Sequence, residues 1–378
     1  MPTLQPGLPF TVMVFIGVIG TLVFVHEFGH YYVARLCGVR AETFSIGFGR
    51  EIFGWTDKRG TRWKLGWLPL GGYVKFAGDL NAASQPDASI EDTPLAERQG
   101  LFHFAPLWQK AAITAAGPLT NFALAILIYA GFFMTYGKTE TPAIVAAVQP
   151  GGAAAAAGIV AGDRIVALDG KPIASFEAIS GKVAVNTGEP MVVRIARGST
   201  IRDLTIAPKV IFESDRFGNT YQSGRLGLLS GRPQYARVSA LGAIPEAVRH
   251  TAFVVETSVK GLWQIISGRR SVKELGGPIK MAQLSGQQAS LGLPNLIEFI
   301  ALISINLGFV NLLPIPMLDG GHLFLYALQA VRRRPLGERV QQWAFMSGFA
   351  ALVSLMVFLT FNDLGSIGVW RHLSGLLG

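Results

Sequence analysis

Cysteine is almost absent from this sequence, since Cys37 is the only one among 378 residues. A single thiol excludes an intramolecular disulfide, and with no activating neighbour Cys37 is predicted to pack rather than to act as a nucleophile. Charge is also scarce, at 15% of residues compared with about 25% in soluble domains. Because 50% of the residues are hydrophobic, the composition predicts an integral membrane protein with soluble parts.

The sequence contains several long hydrophobic runs. Crossing a bilayer takes about 20 apolar residues, and four segments qualify: 8–34, 107–136, 295–314 and 343–361. The first has neither a basic leading region nor a small-residue cleavage site, so it is expected to be a membrane helix rather than a cleaved signal peptide.

The positions of basic residues predict how these helices are oriented. Lys and Arg near helix ends mark cytosolic loops, and here they are Arg35, Arg40, Lys110, Arg332, Arg333, Arg334 and Arg339. Both termini and the long middle region are therefore expected outside the cytosol. The net charge of +9 is attributed to the basic residues that orient the helices in the membrane and to contact with anionic lipid. No basic patch interleaved with aromatic residues occurs, which argues against nucleic-acid binding.

The first hydrophobic run leads directly into His26-Glu27-Phe28-Gly29-His30. This is an H-E-x-x-H zinc-protease motif, in which residues four apart share one face of a helix. His26 and His30 are thus candidate Zn²⁺ ligands, and Glu27 is the candidate general base. The alternative is an interfacial helix end with two histidines reaching toward water, but ionisable groups in a membrane segment are costly and usually functional.

A catalytic zinc site has three protein ligands and one open position. Asp319 is the only carboxylate deep in another hydrophobic segment, and it follows Pro314 and Pro316, which break the helix. Broken helices are tolerated at membrane depth where they line a wet cavity. Asp319 could instead cap a helix. His322 could be the third ligand, although packing or orienting a ligand is the expected role for it.

Two further segments are candidates for substrate binding. Residues 41–80 alternate polar and apolar residues as strands do, and their high apolar content predicts a hairpin region that dips into the bilayer or onto the active site. Gly71, Gly72, Tyr73 and Val74 are expected to hold an extended substrate. In the second membrane helix, Asn121 follows a Gly-Pro pair and is predicted to pack or to line a substrate groove.

Composition changes to that of a soluble domain near Thr141. The pattern over 141–232, with a helix over 176–185, closely resembles a PDZ domain of the variant found in bacterial proteases. PDZ domains bind extended peptide ends by strand addition. Residues 236–292 are amphipathic with interleaved charges, which predicts helix on the membrane or over the catalytic core, interrupted at Gly276-Gly277-Pro278.

Taken together, H-E-F-G-H, G-G-Y-V-K-F, G-P-L-T-N and N-L-L-P-I-P-M-L-D-G-G-H resemble the bacterial site-2 protease family, in particular the regulator of sigma-E protease group. The resemblance covers nearly the whole chain. It implies intramembrane cleavage of single-pass proteins, typically an anti-sigma factor. It also implies that His26, His30 and Asp319 bind zinc, that Glu27 is the base and that Asn311 holds substrate. The best-known members carry two tandem PDZ domains, whereas one is visible here.

The predicted architecture is a multi-pass α-helical membrane protein with four membrane helices, a membrane-associated β-hairpin region and one extracytoplasmic α/β PDZ domain. The predicted divisions are 1–36, 37–106, 107–137, 138–232, 233–292, 293–331 and 332–378. The predicted function is zinc-dependent intramembrane proteolysis in the bacterial inner membrane, with a single-pass membrane protein, lipid and a PDZ-bound peptide end as partners. A metal transporter and a catalytically idle PDZ scaffold are the alternatives.

Overall fold

The computed structural model of the chain describes residues 6–79, 94, 98–173, 175–186, 188–214, 220–232, 234–236, 238–268, 271–272, 275–334 and 336–366. Its helices are α1 (Leu8–Leu36), α2 (Leu107–Thr135), α3 (Ala153–Ala156), α4 (Phe176–Ala184), α5 (Ala240–Ile266), α6 (Pro278–Ser290), α7 (Leu293–Asn311), α8 (Asp319–Arg332) and α9 (Glu338–Ser366). Its strands are β1 (Ala41–Thr56), β2 (Arg62–Phe76), β3 (Lys138–Glu140), β4 (Val145–Val148), β5 (Arg164–Leu168), β6 (Lys171–Pro172), β7 (Met191–Arg197), β8 (Thr200–Ile206), β9 (Lys209–Ser214), β10 (Thr220–Arg225), β11 (Leu228–Ser230) and β12 (Gln234–Ala236).

Four helices in the described part of the chain are long and apolar enough to cross a membrane, namely α1, α2, α7 and α9. This number agrees with the prediction from the sequence. The division predicted for the third membrane helix, 293–331, is not one continuous helix. It separates into α7 and α8, because Pro314 and Pro316 lie between them and neither can donate a helical hydrogen bond.

Glycines bring α1, α2 and α7 into close contact. A Cβ at Gly29 of α1 would lie 2.6 Å from the carbonyl oxygen of Ala116, and one at Gly308 of α7 would lie 2.9 Å from that of Pro118. Small residues allow membrane helices to approach at backbone distance. Helix α2 is therefore the central helix of the three, and both its neighbours pack near the Gly117-Pro118 pair.

The predicted β-hairpin region is formed by β1 and β2, joined by a turn at residues 57–61 in which Asp57 accepts hydrogen bonds from the backbone N–H groups of Arg59 and Thr61. Both strands bend, so that Thr43 pairs with Lys75 as well as with Arg62. Aromatic contacts attach the sheet to α1, where the ring of Tyr31 packs edge-on against those of Phe44, 5.8 Å away, and Trp63, 5.2 Å away. The C-terminal part of β2 is thereby placed beside the H-E-x-x-H motif.

A separate domain lies between α2 and α5. Its four-stranded sheet has the order β6-β5-β7-β8, and its core includes Val145, Leu168, Val193 and Ile195. Between Val145 and Pro172 the order is β4, α3, β5, a turn at residues 169–170 and β6, and the predicted helix over 176–185 is α4. The chain enters through β3 and leaves through β12, which pair with each other.

One ion pair inside this domain gives a test of its stability. The carboxylate of Asp163 is buried and accepts two hydrogen bonds of 2.7 Å from Arg197. Replacing Arg197 with Ala is expected to cost about 1–3 kcal/mol, because a buried carboxylate would lose its charged partner. Arg194→Ala is the matched control: its pair with Asp203 is about half exposed, and its loss should cost at most about 1 kcal/mol. Hydrogen exchange of β5 and β7 in the full-length protein measures both, and equal effects would contradict this interpretation.

The same pair makes the domain sensitive to acid. Hydrogen bonds from Arg197 hold the pKa of the Asp163 carboxyl below its ordinary value. A lowered folded-state pKa contributes stability that is complete above about pH 4 and is lost as the pH falls through the lowered pKa. The difference between wild type and Arg197→Ala should therefore shrink as the pH falls below about 4.

The predicted amphipathic region forms α5 and α6, and the interruption at Gly276-Gly277-Pro278 is confirmed because α6 begins at Pro278. Helix α5 places its small residues, Ala243 and Ala247, in a core shared with α2 and α7. Its bulky residues Ile244 and Trp263 are exposed. The helix thus covers α2 through a narrow face of small side chains.

Candidate metal centre and substrate cavity

The H-E-x-x-H motif occupies the C-terminal half of α1, where His26 and His30 are both buried. Their Nε2 atoms lie 3.2 Å apart, as expected for residues one helical turn apart that face the same point. Both histidines point toward α2, and Gly117 of α2 leaves the space for them. A Cβ at that position would overlap Nε2 of His30 and would lie 2.9 Å from Cε1 of His26.

Asp319 approaches this pair from the start of α8. Its Oδ2 lies 3.1 Å from Nε2 of His26 and 3.4 Å from Nε2 of His30. Asp319 is the first residue of α8 rather than its cap, since the cap position is Leu318 and makes no side-chain capping bond. The preceding loop is tightly folded, with Met317 in the left-handed region at φ 79°. The side chain of Asp319 is therefore available to the histidines.

The three ligand atoms have the spacing of a metal site. They lie 3.1, 3.2 and 3.4 Å from one another, whereas ligands about 2.0–2.1 Å from a tetrahedral zinc ion are separated by about 3.3 Å. Oδ2 of Asp319 is buried and has no hydrogen-bond partner among the described residues. Two imidazoles, one carboxylate and an orphaned buried oxygen together fit a divalent cation such as zinc.

The second nitrogen of each histidine ring has its own partner on α2. Nδ1 of His30 lies 2.8 Å from the carbonyl oxygen of Ile113. Nδ1 of His26 lies 3.1 Å from the amide nitrogen Nδ2 of Asn121. A ligating histidine typically donates its other N–H to an oxygen acceptor, as the Ile113 carbonyl is for His30. Both Nε2 atoms are consequently left to face Asp319.

A cavity of about 520 Å³ opens onto these residues. Besides His26, His30 and Asp319 it is lined by the other candidates from the sequence, namely Glu27, Gly71, Gly72, Tyr73, Val74 and Asn311. A Cβ at Gly72 would lie 3.1 Å from Cγ of Glu27, so the glycine allows β2 to run directly beside the candidate base. An extended chain entering this cavity would meet β2 on one side and the metal centre on the other.

The comparison with known proteins decides the family. The sequence profile of peptidase family M50 matches residues 14–355. The chain belongs to peptidase family M50. It is 45% identical to a candidate zinc metalloprotease of Agrobacterium fabrum over 93% of this chain and 95% of that protein. It is 44% identical to one of Rhizobium meliloti, covering 96% and 99%, and 38% identical to the metalloprotease MmpA of Caulobacter vibrioides, covering 95% and 96%. Because M50 is the family of the site-2 proteases, the resemblance found in the sequence is confirmed.

One candidate for substrate binding in this M50 peptidase lies elsewhere than expected. Asn121 is completely buried and does not line the cavity, because it lies behind His26. His322 lines the cavity and its ring packs 4.9 Å from that of Phe345, which agrees with the packing role expected for it. It does not belong to the group of described residues that could hold a metal. Cys37 packs at the edge of the apolar cluster between α1 and the sheet, as predicted.

Sequence reasoning missed two α2 groups at the site. The Ile113 carbonyl has no side-chain signature, since any residue could supply it. The other is Gly117, the first residue of the Gly-Pro pair, which provides room for the imidazoles. The sequence signal for Gly117 was a glycine in one membrane helix, combined with two histidines on the helix that packs against it.

Proposed function

We propose that the chain is a zinc metalloprotease of the site-2 type, which hydrolyses peptide bonds in or near the membrane-spanning region of single-pass membrane proteins. The observation that carries the proposal is the convergence of His26, His30 and Asp319, with atoms at metal-ligand spacing, on a cavity that also contains Glu27. Membership of peptidase family M50 and the names of the relatives support zinc as the metal.

Each residue at the site has a separate proposed role. His26, His30 and Asp319 hold the zinc ion, which when bound polarises a carbonyl and lowers the pKa of water. Glu27 accepts the proton of the attacking water and can return it to the leaving amine. Asn311 lines the same cavity at the end of α7 and is proposed to hold the substrate by hydrogen bonding.

The substrate must be extended when it is cut. In a helix the scissile carbonyl is engaged in an i→i−4 hydrogen bond, so the segment has to unwind before it can react. We propose that it then adds as a strand beside Gly71, Gly72, Tyr73 and Val74, since backbone pairing holds a peptide without demanding particular side chains. The position of these residues along the cavity supports this.

The domain between β3 and β12 is proposed to be a single PDZ domain on the periplasmic side of the bacterial inner membrane. The succession of its elements and the basic residues near the helix ends support this arrangement, with both termini on the same side. His26 and His30 lie in the C-terminal half of α1, toward Arg35 and therefore away from that side. We propose that the domain restricts access, recognising the end of a substrate that has already been trimmed, of which an anti-sigma factor is one candidate.

Removal of the metal tests the proposed function. The purified full-length protein should contain about one zinc ion per chain and cleave a synthetic transmembrane segment in detergent. A chelator should abolish cleavage, and zinc should restore it where magnesium does not, because imidazole ligands favour zinc. A metal transporter or an idle scaffold would leave the segment intact under all these conditions.

Deletion of residues 141–232 tests the gating role. The strands on either side are paired, with Glu140 opposite Gln234, so a short Gly/Ser linker can join them without displacing α2 or α5. We expect untrimmed substrates to be cleaved at an equal or higher rate, because the obstruction is gone while the metal centre is untouched. Loss of cleavage of a trimmed substrate by a deletion variant that still binds zinc would make the domain a required docking site instead.

A further inference from the structure

Asn121 is the residue at the metal centre to which the proposed chemistry assigns no role. It belongs to α2, is completely buried, and in the structure places its amide nitrogen Nδ2 3.1 Å from Nδ1 of His26. Its Oδ1 has no hydrogen-bond partner among the described residues. A buried polar atom without a partner destabilises the folded state, so a fold that keeps one here needs a reason.

The tautomer of His26 supplies that reason. Nε2 of His26 faces Asp319 and His30 and needs its lone pair to bind a cation, so the proton of the neutral ring must be on Nδ1. That proton requires an acceptor. The oxygen and nitrogen of an amide exchange places on a half-turn of the group. With Oδ1 turned toward His26, the Nδ1 proton gains an acceptor and the orphaned oxygen gains a donor.

The other histidine shows the same arrangement. Nδ1 of His30 is 2.8 Å from the Ile113 carbonyl, which can only accept, so its proton is also on the side away from the metal centre. Ile113 and Asn121 lie about two turns apart on α2. The backbone at Asn121 is anchored in turn by Ser304 of α7, whose Oγ donates to the Asn121 carbonyl at 2.8 Å. Helix α2 thus presents one acceptor to each ligand.

We propose that Asn121 is a positioning residue, whose side-chain oxygen accepts the Nδ1 proton of His26 and so holds Nε2 in the tautomer and orientation that bind the metal. The proposal rests on the proposed zinc centre. It gives Asn121 no contact with substrate. Partners of this kind typically change metal affinity about 10–100-fold when they are removed.

Zinc affinity of the full-length protein in detergent, measured by competition with a chromophoric chelator, tests this role. Asn121→Leu keeps the volume but removes the acceptor, and it should weaken zinc binding about 10–100-fold. Asn121→Asp keeps an acceptor at the same place and should bind zinc within about threefold of wild type or more tightly. Asn306→Leu is the control, because Asn306 is also in a membrane helix but bonds to Ser258 instead, and it should leave zinc affinity unchanged.

The order of the two Asn121 variants separates positioning from packing. A purely packing role favours the apolar Leu over a buried carboxylate, which is the reverse of the order expected here. Two results would overturn the proposal. One is zinc binding at wild-type affinity by folded Asn121→Leu, and the other is a loss of about tenfold in the zinc affinity of folded Asn121→Asp. The Asp result decides alone if the Leu variant does not fold. Absence of zinc from the wild type would instead refute the proposed zinc centre itself.

Discussion

Replacing Glu27 with Gln is expected to lower the rate of peptide hydrolysis by about 10²–10⁴-fold while zinc remains bound. The carboxylate lies in the same cavity as the three candidate ligands but is not one of them. Gln has nearly the same size and cannot accept a proton from water at neutral pH. The loss should therefore appear in kcat, with the metal content of the purified protein unchanged.

The ligand variants provide the contrast. His26→Ala and Asp319→Ala each remove one of three ligands, so both should lose zinc as well as activity. Parallel measurement of metal content and cleavage distinguishes the two classes of variant. Full activity of Glu27→Gln would show that another group accepts the proton. Full zinc content in Asp319→Ala would place the third ligand elsewhere, and His322 would be the next residue to replace.

A single methyl group on α2 is expected to abolish the metal centre. In Gly117→Ala the new Cβ would overlap Nε2 of His30 and crowd His26. Neither ring can retreat easily, because each is held by a second contact on α2. Zinc content should fall from about one ion per chain to near zero, and cleavage should fall with it.

Gly131→Ala is the matched control for this experiment. Gly131 lies on the same helix, and a Cβ there meets no atom within 4 Å. Since alanine is favoured over glycine inside a helix by about 0.5–1 kcal/mol, this variant should be neutral or slightly more stable. Equal loss of zinc in both variants would point to a general effect on α2. Retention of zinc in Gly117→Ala would mean that α1 and α2 can move apart without loss of the site.

The histidine pair shows how far the sequence could lead. The i, i+4 spacing of His26 and His30 determines a shared helix face whatever the tertiary structure, and the structure has them facing one point. Asp319 could be identified from the sequence by elimination, because carboxylates are rare in hydrophobic segments. Its exact approach depends on the loop at Met317, which no local pattern predicts.

Asn121 shows a choice that the sequence left open, between packing and lining a substrate groove. Its expected position on a substrate groove differs from the buried position in the structure, because the choice depends on the rotation of α2 about its own axis. That rotation is set by contacts of Gly29 and Gly308 with the α2 backbone, on two other helices. The location of Gly71 to Val74 was easier to predict, since the alternating pattern predicts a strand and the cavity is beside it. Tertiary contacts between distant segments therefore decide which polar residues face the ligand.

The two histidines and the aspartate of the metal centre are synthesised far apart in time. His26 lies in the first helix of the chain and Asp319 in the next-to-last described one. A growing chain therefore carries an exposed histidine pair through most of its translation and insertion but cannot complete the set of ligands until α8 has emerged. If the three residues bind zinc as proposed, proteolysis of the proposed kind begins only after α8 has joined α1 and α2.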